Sequence, residues 1–319
     1  MRIVIPDDDP PTYASLDQPD LCRLAPHEVI LHTTRAASRP ELFDRLSSAD
    51  AIINVRSYTQ LDEEALDHAS NLKLISILGT GTDNVDLAAA KRRGIIVTNT
   101  PGVGAPSVAE LTIGLILAVT RSIPRSDRTV REGAWQHVEG PELDGKTLGL
   151  LGLGAIGSYV ARLGGAFGMR LIAWTFSRDE SRANRLGVEL VERDDLFRQA
   201  DIVSLHLRNT PEVRGFVGAR ELGLMKPSAY LVNTARGALV DSDALAAALR
   251  KGEIAGAGLD VFTQEPLPRE DNPFLDLDNV VLTPHIGAVT HEASARQRAM
   301  PVDNILAFID GHPEHVVNP

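Results

Sequence analysis

Short apolar, β-branched runs alternate with longer segments of helical periodicity along the whole chain. The first set is RIVI (2–5), EVILH (28–32), AIINV (51–55), LKLISIL (72–78) and IIVTN (95–99). The second is TLGLLG from Thr147, LIAWT from Leu171, DIVSLHL from Asp201, AYLVNTA from Ala229, AGAGLDVF from Ala255 and VVLTPH from Val280. Near-continuous apolar runs are what strands buried on both faces require, and their alternation with helical patterns is the signature of βαβ units and a parallel sheet. Eleven such strands exceed one ordinary sheet. The pattern therefore predicts an α/β protein with two doubly wound, parallel-sheet, Rossmann-like domains.

The segment TPGVGAP, with two prolines and two glycines in seven residues, marks the division near Pro101. A helix from Ser107 to about Arg121 carries the chain into the second sheet. The stretch from about Gly287 to His312 has helical periodicity through Ala293, Ala299, Ile305, Leu306, Phe308 and Ile309, and is expected to return to the first domain. The expected organisation is a discontinuous substrate-binding domain, 1–100 with 288–319, and a dinucleotide-binding domain, 101–287. No stretch after His312 is left for a third, regulatory domain.

Composition narrows the function classes. Aromatic residues make up only 4% of the chain, so the core must be built from Leu, Ile, Val and Ala, which suits covered parallel sheets. The formal net charge of −11, with no basic run longer than Lys91-Arg92-Arg93, argues against a nucleic-acid partner. The opening MRIVIPDDDP lacks the basic start and long apolar segment of a signal peptide. The most apolar later stretch, 108–119, contains Glu110 and falls short of the roughly 20 residues that cross a bilayer, so it reads as a buried helix and no membrane is expected. A single cysteine, Cys22, excludes an intrachain disulfide and fits a reduced, cytoplasmic setting; nothing near it marks a nucleophile. No metal is called for.

Gly152, Gly154 and Gly157 stand in GxGxxG spacing directly after a strand and at the start of a helix. In that context the first glycine permits the turn, the second lets the backbone approach a pyrophosphate, the third allows close helix packing, and the helix amides face the diphosphate. The next strand, LIAWT, ends at Thr175, where an NAD site carries an acid for the ribose hydroxyls. Thr175, Ser177 and Arg178 stand there instead and could accommodate a 2′-phosphate. NAD and NADP both stay open, with a lean to NADP; Asp179 serves NAD if the strand runs longer.

Three polar residues fall at the C-terminal ends of consecutive late strands, the edge where open α/β sheets bind ligands: Arg236, Glu265 and His285. Reduction of a 2-oxo acid needs a fixed cation for the carboxylate, a hydride donor, and an acid for the developing alkoxide. Arg236 offers a planar fork of donors that suits the carboxylate. His285 is the natural proton donor near neutral pH, and Glu265 bonded to its ring would orient it and favour its charged form. Singly, each also reads as a surface ion pair, a loop histidine or a solvated turn; together, downstream of a dinucleotide loop, they read as catalytic.

The motifs LGTGTDNVD (78–86), NTPGVGAPSVAELT (99–112), GLGAIG, LVNTARGALVD, GAGLDVFTQEP and TPHIGA occur in order across essentially the whole chain. In this the sequence resembles the D-isomer-specific 2-hydroxyacid dehydrogenase family, which includes phosphoglycerate dehydrogenases, glyoxylate and hydroxypyruvate reductases and D-lactate dehydrogenases. The resemblance implies Arg236, Glu265 and His285 as the catalytic set and Asp260 near the nicotinamide. It implies Leu78 and Gly79 as amide donors to the substrate carboxylate, and cofactor contacts at Thr80, Ala155, Ile156, Thr234 and Ala235. It also implies a homodimer paired through the nucleotide domain. Arg56 and Ser57, with Tyr58, are expected to line the substrate pocket, and Trp135 to help close it. Two alternatives share the frame: a nucleotide-sensing, corepressor-like interaction protein without turnover, and a phosphite- or formate-type dehydrogenase.

Overall fold

The computed structural model describes residues 1–55, 58–270 and 272–319. The chain divides into two compact units, Met1–Gly104 with Val289–Pro319, and Ala105–Ala288.

In unit 1 the strands are β1 (Arg2–Ile5), β2 (Glu28–Leu31), β3 (Ala51–Asn54), β4 (Leu74–Ile77) and β5 (Ile96–Thr98). Between them run α1 (Pro19–Cys22), α2 (Arg39–Leu46), α3 (Glu63–Asp67) and α4 (Leu87–Arg92). The strands pair in parallel in the order β2-β1-β3-β4-β5. Because side chains alternate across a strand, Val4, Ile52, Ile75 and Val97 pack on the face covered by α2, α3 and α4. Ile3, Ile5, Ala51, Ile53 and Leu74 pack on the other. Ser38, Asp62 and Asp86 cap α2, α3 and α4 through side-chain oxygens, which is why those helices start where they do.

Unit 2 opens with α5 (Ala105–Thr120) and α6 (Ile123–Arg131). Its strands are β6 (Thr147–Leu151), β7 (Arg170–Trp174), β8 (Val188–Leu190), β9 (Ile202–Leu205), β10 (Tyr230–Asn233), β11 (Gly256–Leu259) and β12 (Val280–Leu282). The intervening helices are α7 (Ala155–Ala166), α8 (Glu180–Leu186), α9 (Arg193–Gln199), α10 (Ala219–Leu222) and α11 (Ser242–Lys251). All strand pairs are parallel, in the order β12-β11-β10-β9-β6-β7-β8. Helices α5 and α7 cover one face over Leu148, Leu150 and Val232; α9 and α11 cover the other over Leu151, Val203, Leu231 and Leu259. The strand order reverses beside β6, so the loop after β6 lies at the topological switch point, where such sheets bind ligands.

The chain then returns to unit 1 as α12 (His291–Ile309), whose Val302 and Ile305 complete the second core of that sheet. Pro301 inside α12 has no N–H for the helix ladder, yet the helix continues. Tyr13 Oη donates to the Arg298 carbonyl (2.9 Å) and Ser76 Oγ to the Pro301 carbonyl (3.1 Å), anchoring this turn to the sheet. The strand missed by the periodicity is β8, three residues at a sheet edge with only Val188 buried, too short and too polar to read as a run. The 108–119 stretch lies within α5, with ten residues of that helix buried. Among the described residues no single helix is long and apolar enough to cross a membrane.

Candidate active site

The dinucleotide loop follows β6. Gly152 takes φ +101°, a conformation L side chains rarely adopt, and its amide donates to Trp174 O (2.9 Å). A Cβ there would sit 2.7 Å from the His206 carbonyl oxygen, and one on Gly157 would sit 2.2 Å from the Gly152 oxygen, so α7 packs hard against its own entry loop. Gly154 differs. A Cβ on it would meet nothing within 4 Å, and no side chain caps the amides of α7 that follow it. Exposed Ala155 and half-buried Ile156 therefore present helix N–H groups beside an open cradle, which fits a diphosphate.

The end of β7 is arranged differently from a ready-made phosphate grip. Thr175 Oγ1 donates to Ser177 O (2.7 Å), and Arg178 is compensated by Glu192 (3.0 Å) and Glu180 (3.5 Å). Asp179 caps α8, accepting from Arg182 N (2.9 Å). Two residues here were not singled out by sequence. Arg182 Nη1 donates to Leu153 O (3.1 Å), inside the glycine loop. His206, the last polar residue of DIVSLHL, lies just past β9; burial pushes its imidazole down to about 3, so the ring is neutral. Its Nε2 pairs with Ser204 Oγ (2.9 Å) and its buried Nδ1 has no partner. A histidine at a switch-point strand end was the available signal.

The catalytic candidates stand together because β10, β11 and β12 are parallel neighbours whose C-terminal ends share one edge. Buried Asn233 organises the first turn: its Oδ1 accepts from Ala235 N (3.0 Å) and its Nδ2 donates to Arg236 O (2.8 Å). Thr234 Oγ1 and Thr112 Oγ1 share a buried hydrogen bond (2.9 Å). Gly237 is required by contact, since a Cβ on it would lie 2.0 Å from the Phe262 carbonyl carbon. That approach sets the Arg236 turn against the loop carrying Glu265. Arg236 is half-buried, and its Nη1 donates to Ala235 O (2.8 Å).

Glu265 Oε1 accepts from Phe262 N (2.9 Å), and its Oε2 faces His285 Nδ1 at 2.7 Å. Burial opposes ionisation of Glu265, but the His285 and Phe262 bonds and the charge of nearby Arg236 outweigh it and hold the carboxyl below the usual carboxylate range. With Nδ1 engaged, Nε2 is the nitrogen left for a substrate oxygen. His285 itself has φ +53°, a left-handed conformation that costs a non-glycine residue about 1–3 kcal/mol. Asp260 holds it there. The Asp260 carbonyl accepts from His285 N (2.8 Å), and its buried carboxylate accepts from Thr283 Oγ1 (2.6 Å), Ile286 N (2.8 Å) and Gly287 N (2.9 Å). The cofactor-side role implied for Asp260 is thus joined by a structural one that the sequence did not reveal.

In unit 1 Gly79 has φ +128°, which turns the chain at the C-terminal edge of β4. The N–H groups of Leu78 and Gly79, expected to face a substrate carboxylate, already donate to Asn54 O (2.8 Å) and Thr100 Oγ1 (2.8 Å). A carboxylate taking the Gly79 amide has to displace the Thr100 hydroxyl. Thr80 Oγ1 donates to Thr100 O (3.3 Å). Arg56 and Ser57 lie outside the described residues. Thr59 Oγ1 donates to buried Asp7 (2.7 Å) and Asn84 Nδ2 to Thr59 O (2.7 Å). Among the described residues no cluster of His, Cys, Asp or Glu could hold a metal ion.

Two doubly wound sheets, a glycine loop at a switch point and an Arg–Glu–His edge define a dinucleotide-dependent oxidoreductase. Residues 113–287 match the family described as D-isomer specific 2-hydroxyacid dehydrogenase, NAD binding domain. A glyoxylate reductase from Thermococcus litoralis is 41% identical over 294 residues, covering 89% of this chain and 88% of that protein. A D-lactate dehydrogenase from Aquifex aeolicus, solved with NAD and lactic acid, is similar with a TM-score of 0.89 at 31% identity, covering 100% of this chain and 99% of that one. An acyclic imino acid reductase (Bsp5), solved with NADPH and D-Arg, is similar with a TM-score of 0.89 at 32% identity, covering 99% and 100%. The chain belongs to the D-isomer-specific 2-hydroxyacid dehydrogenase family, an NAD(P)-dependent oxidoreductase of 2-oxo and 2-hydroxy acids.

Proposed function

We propose that the protein reduces a small 2-oxo acid to the D-2-hydroxy acid, with Arg236 gripping the carboxylate and the His285–Glu265 pair moving the proton. The observation that carries this reading is the 2.7 Å contact of His285 Nδ1 with an ionised Glu265, which fixes the ring and leaves Nε2 for the substrate oxygen. When bound, the dinucleotide supplies the hydride. Residues Gly152, Gly154, Ala155, Ile156 and Gly157 would hold its diphosphate, Thr80, Thr234 and Ala235 would contact the cofactor, and Asp260 would lie near its nicotinamide ring. Arg236 offers bidentate donors to the carboxylate and polarises the neighbouring carbonyl. His285 Nε2 gives its proton as negative charge develops on that oxygen, and takes it back in oxidation. Glu265, held ionised, fixes the ring through Nδ1 so that Nε2 faces the substrate oxygen.

In this reading Arg56, Ser57, Leu78 and Gly79 join Arg236 in contacting the substrate. The chain acts as a homodimer paired through unit 2, because α6 buries none of its residues while Ile123, Val130 and Trp135 stand 52%, 53% and 80% exposed. Sedimentation of the protein with and without Trp135→Ala and Val130→Glu checks that surface. The test of the activity is a reductase panel of glyoxylate, hydroxypyruvate, pyruvate, phenylpyruvate and 2-oxoisocaproate, run with NADH and NADPH, with chiral analysis of the product. Turnover yielding the D-isomer from any member but glyoxylate, whose product glycolate has no stereocentre, supports the reading; no turnover on any member removes it.

A further inference from the structure

Asn304 lies inside α12, buried beside Val302 and Ile305 of the unit 1 core. An amide side chain among apolar neighbours is costly unless both of its ends find partners. Its Nδ2 donates to the Asn99 carbonyl (3.0 Å), and because a carbonyl can only accept, that contact fixes which end of the amide is nitrogen. Oδ1 is then left to accept from His315 Nδ1 (2.9 Å). His315 closes the ring of contacts, since its own carbonyl accepts from Asn99 N (3.2 Å). It does so at φ +56°, a left-handed conformation that non-glycine residues seldom adopt. The chain beyond it bridges β5 between Val316 and Thr98, so Asn99 is held from two sides just past the end of that strand.

Asn99 and Thr100 in turn hold the bend after β4. Asn99 Nδ2 donates to Thr80 O (2.8 Å) and Thr100 N to Gly79 O (2.9 Å). Thr100 Oγ1 accepts from Gly79 N (2.8 Å), and Thr80 Oγ1 donates to Thr100 O (3.3 Å). Two adjacent residues thus orient a bend whose glycine, at φ +128°, has no side chain of its own to pack. We propose that Asn304 is a positioning residue for the reaction: through Asn99 and Thr100 it fixes the Gly79–Thr80 bend, and so the angle at which backbone N–H groups meet the substrate carboxylate. The proposal rests on the reading that Leu78 and Gly79 contact that carboxylate. When a carboxylate takes the Gly79 amide from Thr100 Oγ1, the bonds at Thr80 and at the Gly79 carbonyl still hold the bend, and those depend on where Asn304 sets Asn99. Hydrogen bonds weaken steeply with misalignment, so a small tilt at Asn99 reaches substrate binding before it reaches folding.

The test uses the intact protein as wild type, Asn304→Ser, Asn99→Ala and the Asn304→Ser/Asn99→Ala pair, with Ile305→Val as a neighbour on the same helix outside the bond network. Steady-state kinetics on the best 2-oxo acid gives kcat and KM, and thermal melts report folding. Selective glycine labelling with nitrogen-15 follows the Gly79 amide resonance with and without saturating oxamate, an unreactive mimic of a 2-oxo acid. Misalignment of a hydrogen bond to a charged group predicts KM raised about tenfold in Asn304→Ser and in Asn99→Ala, with kcat changed less than about threefold. The Gly79 resonance of the free protein should move in Asn304→Ser. The paired variant should raise KM no further than the larger single change, because both act along one route. Ile305→Val should lower the melt and leave KM within about twofold. Variants that lower the melt as Ile305→Val does, with KM and the Gly79 resonance in place, would make Asn304 a packing element and overturn the proposal, as would additive effects in the pair. Asn99→Ala cuts the same route nearer the bend, so an unchanged KM there overturns the proposal even if Asn304→Ser does not fold. If oxamate leaves the wild-type Gly79 resonance unmoved while turnover persists, the carboxylate assignment itself falls and takes the proposal with it. That result is distinct from a resonance that responds to oxamate in the wild type and in every variant alike, which overturns only the role of Asn304.

Discussion

Asp260 and His285 are tied through the backbone: the His285 amide donates to the Asp260 carbonyl (2.8 Å) while the Asp260 carboxylate takes the next two amides, those of Ile286 and Gly287. The left-handed His285 is therefore held by a buried anion one residue beyond β11. Asp260→Asn keeps the shape but turns an amide group toward at least one backbone N–H, setting donor against donor. We expect a loss of about 2 kcal/mol or more in stability, since bonds to a charged acceptor are involved. Chemical denaturation measures the first effect. A fall in kcat larger than the change in KM, with the fold retained, would report displacement of the His285 ring.

Arg236→Lys replaces a fork by a point charge. The expected result is a normally folded protein whose kcat/KM on the best panel substrate falls by about 2 kcal/mol, roughly thirtyfold. Steady-state kinetics beside a thermal melt checks it, and near wild-type efficiency would remove Arg236 from the site.

Two glycines separate structure from function. An added methyl at Gly237 would press within 2.0 Å of the Phe262 backbone, so Gly237→Ala should destabilise by about 1–3 kcal/mol and push the Arg236 turn away from Glu265, lowering activity. At Gly154 the same methyl meets nothing within 4 Å, so Gly154→Ala should leave the melt nearly unchanged while weakening both NADH and NADPH, because it fills the cradle. Melting curves and cofactor titrations on both variants distinguish the two roles.

His206 is buried neutral, its imidazole pushed down to about 3 from 6.5. The unfolded chain binds a proton there that the folded chain refuses, so folding stability contributed by this residue is intact above 6.5 and lost as pH falls below it. The expected slope from this one group is about 1.4 kcal/mol per pH unit below that value. His206→Gln should flatten the acid side of the stability curve by about that amount; an unchanged slope would show that the ring accepts its proton in the folded state.

The architecture was legible because parallel strands buried on both faces print as unbroken apolar runs, and the glycine loop and the Arg236, Glu265 and His285 edge follow from where those runs end. What escaped depends on contacts between segments distant in sequence. Asp260 is placed near the nicotinamide by resemblance, but its hold on the His285 turn shows only when Ile286 and Gly287 are seen donating to it. Arg182 lies four residues beyond Arg178 in the same loop–helix segment, and spacing could not show that Arg178 turns to Glu192 while Arg182 reaches Leu153. The amides of Leu78 and Gly79 likewise look free in one dimension, but in space they bond Asn54 and Thr100. The edge strand β8 was lost because three residues with one buried side chain carry too little periodic signal.

The central claim is that His285 transfers the proton under the control of an ionised Glu265, and its most direct measurement is the pH dependence of kcat/KM in both directions for wild type and Glu265→Gln. The Glu265 carboxyl, held below the usual carboxylate range, stays ionised beside the His285 ring across the working range. Reduction needs the imidazolium and should decline as pH rises; oxidation needs the neutral ring and should climb, about one shared midpoint. Glutamine keeps the side-chain length but removes the charge and one of the two acceptors that face Phe262 N and His285 Nδ1, so the reduction rate should fall. Parallel pH dependence in the two directions, or a glutamine variant as fast as wild type, would contradict the mechanism.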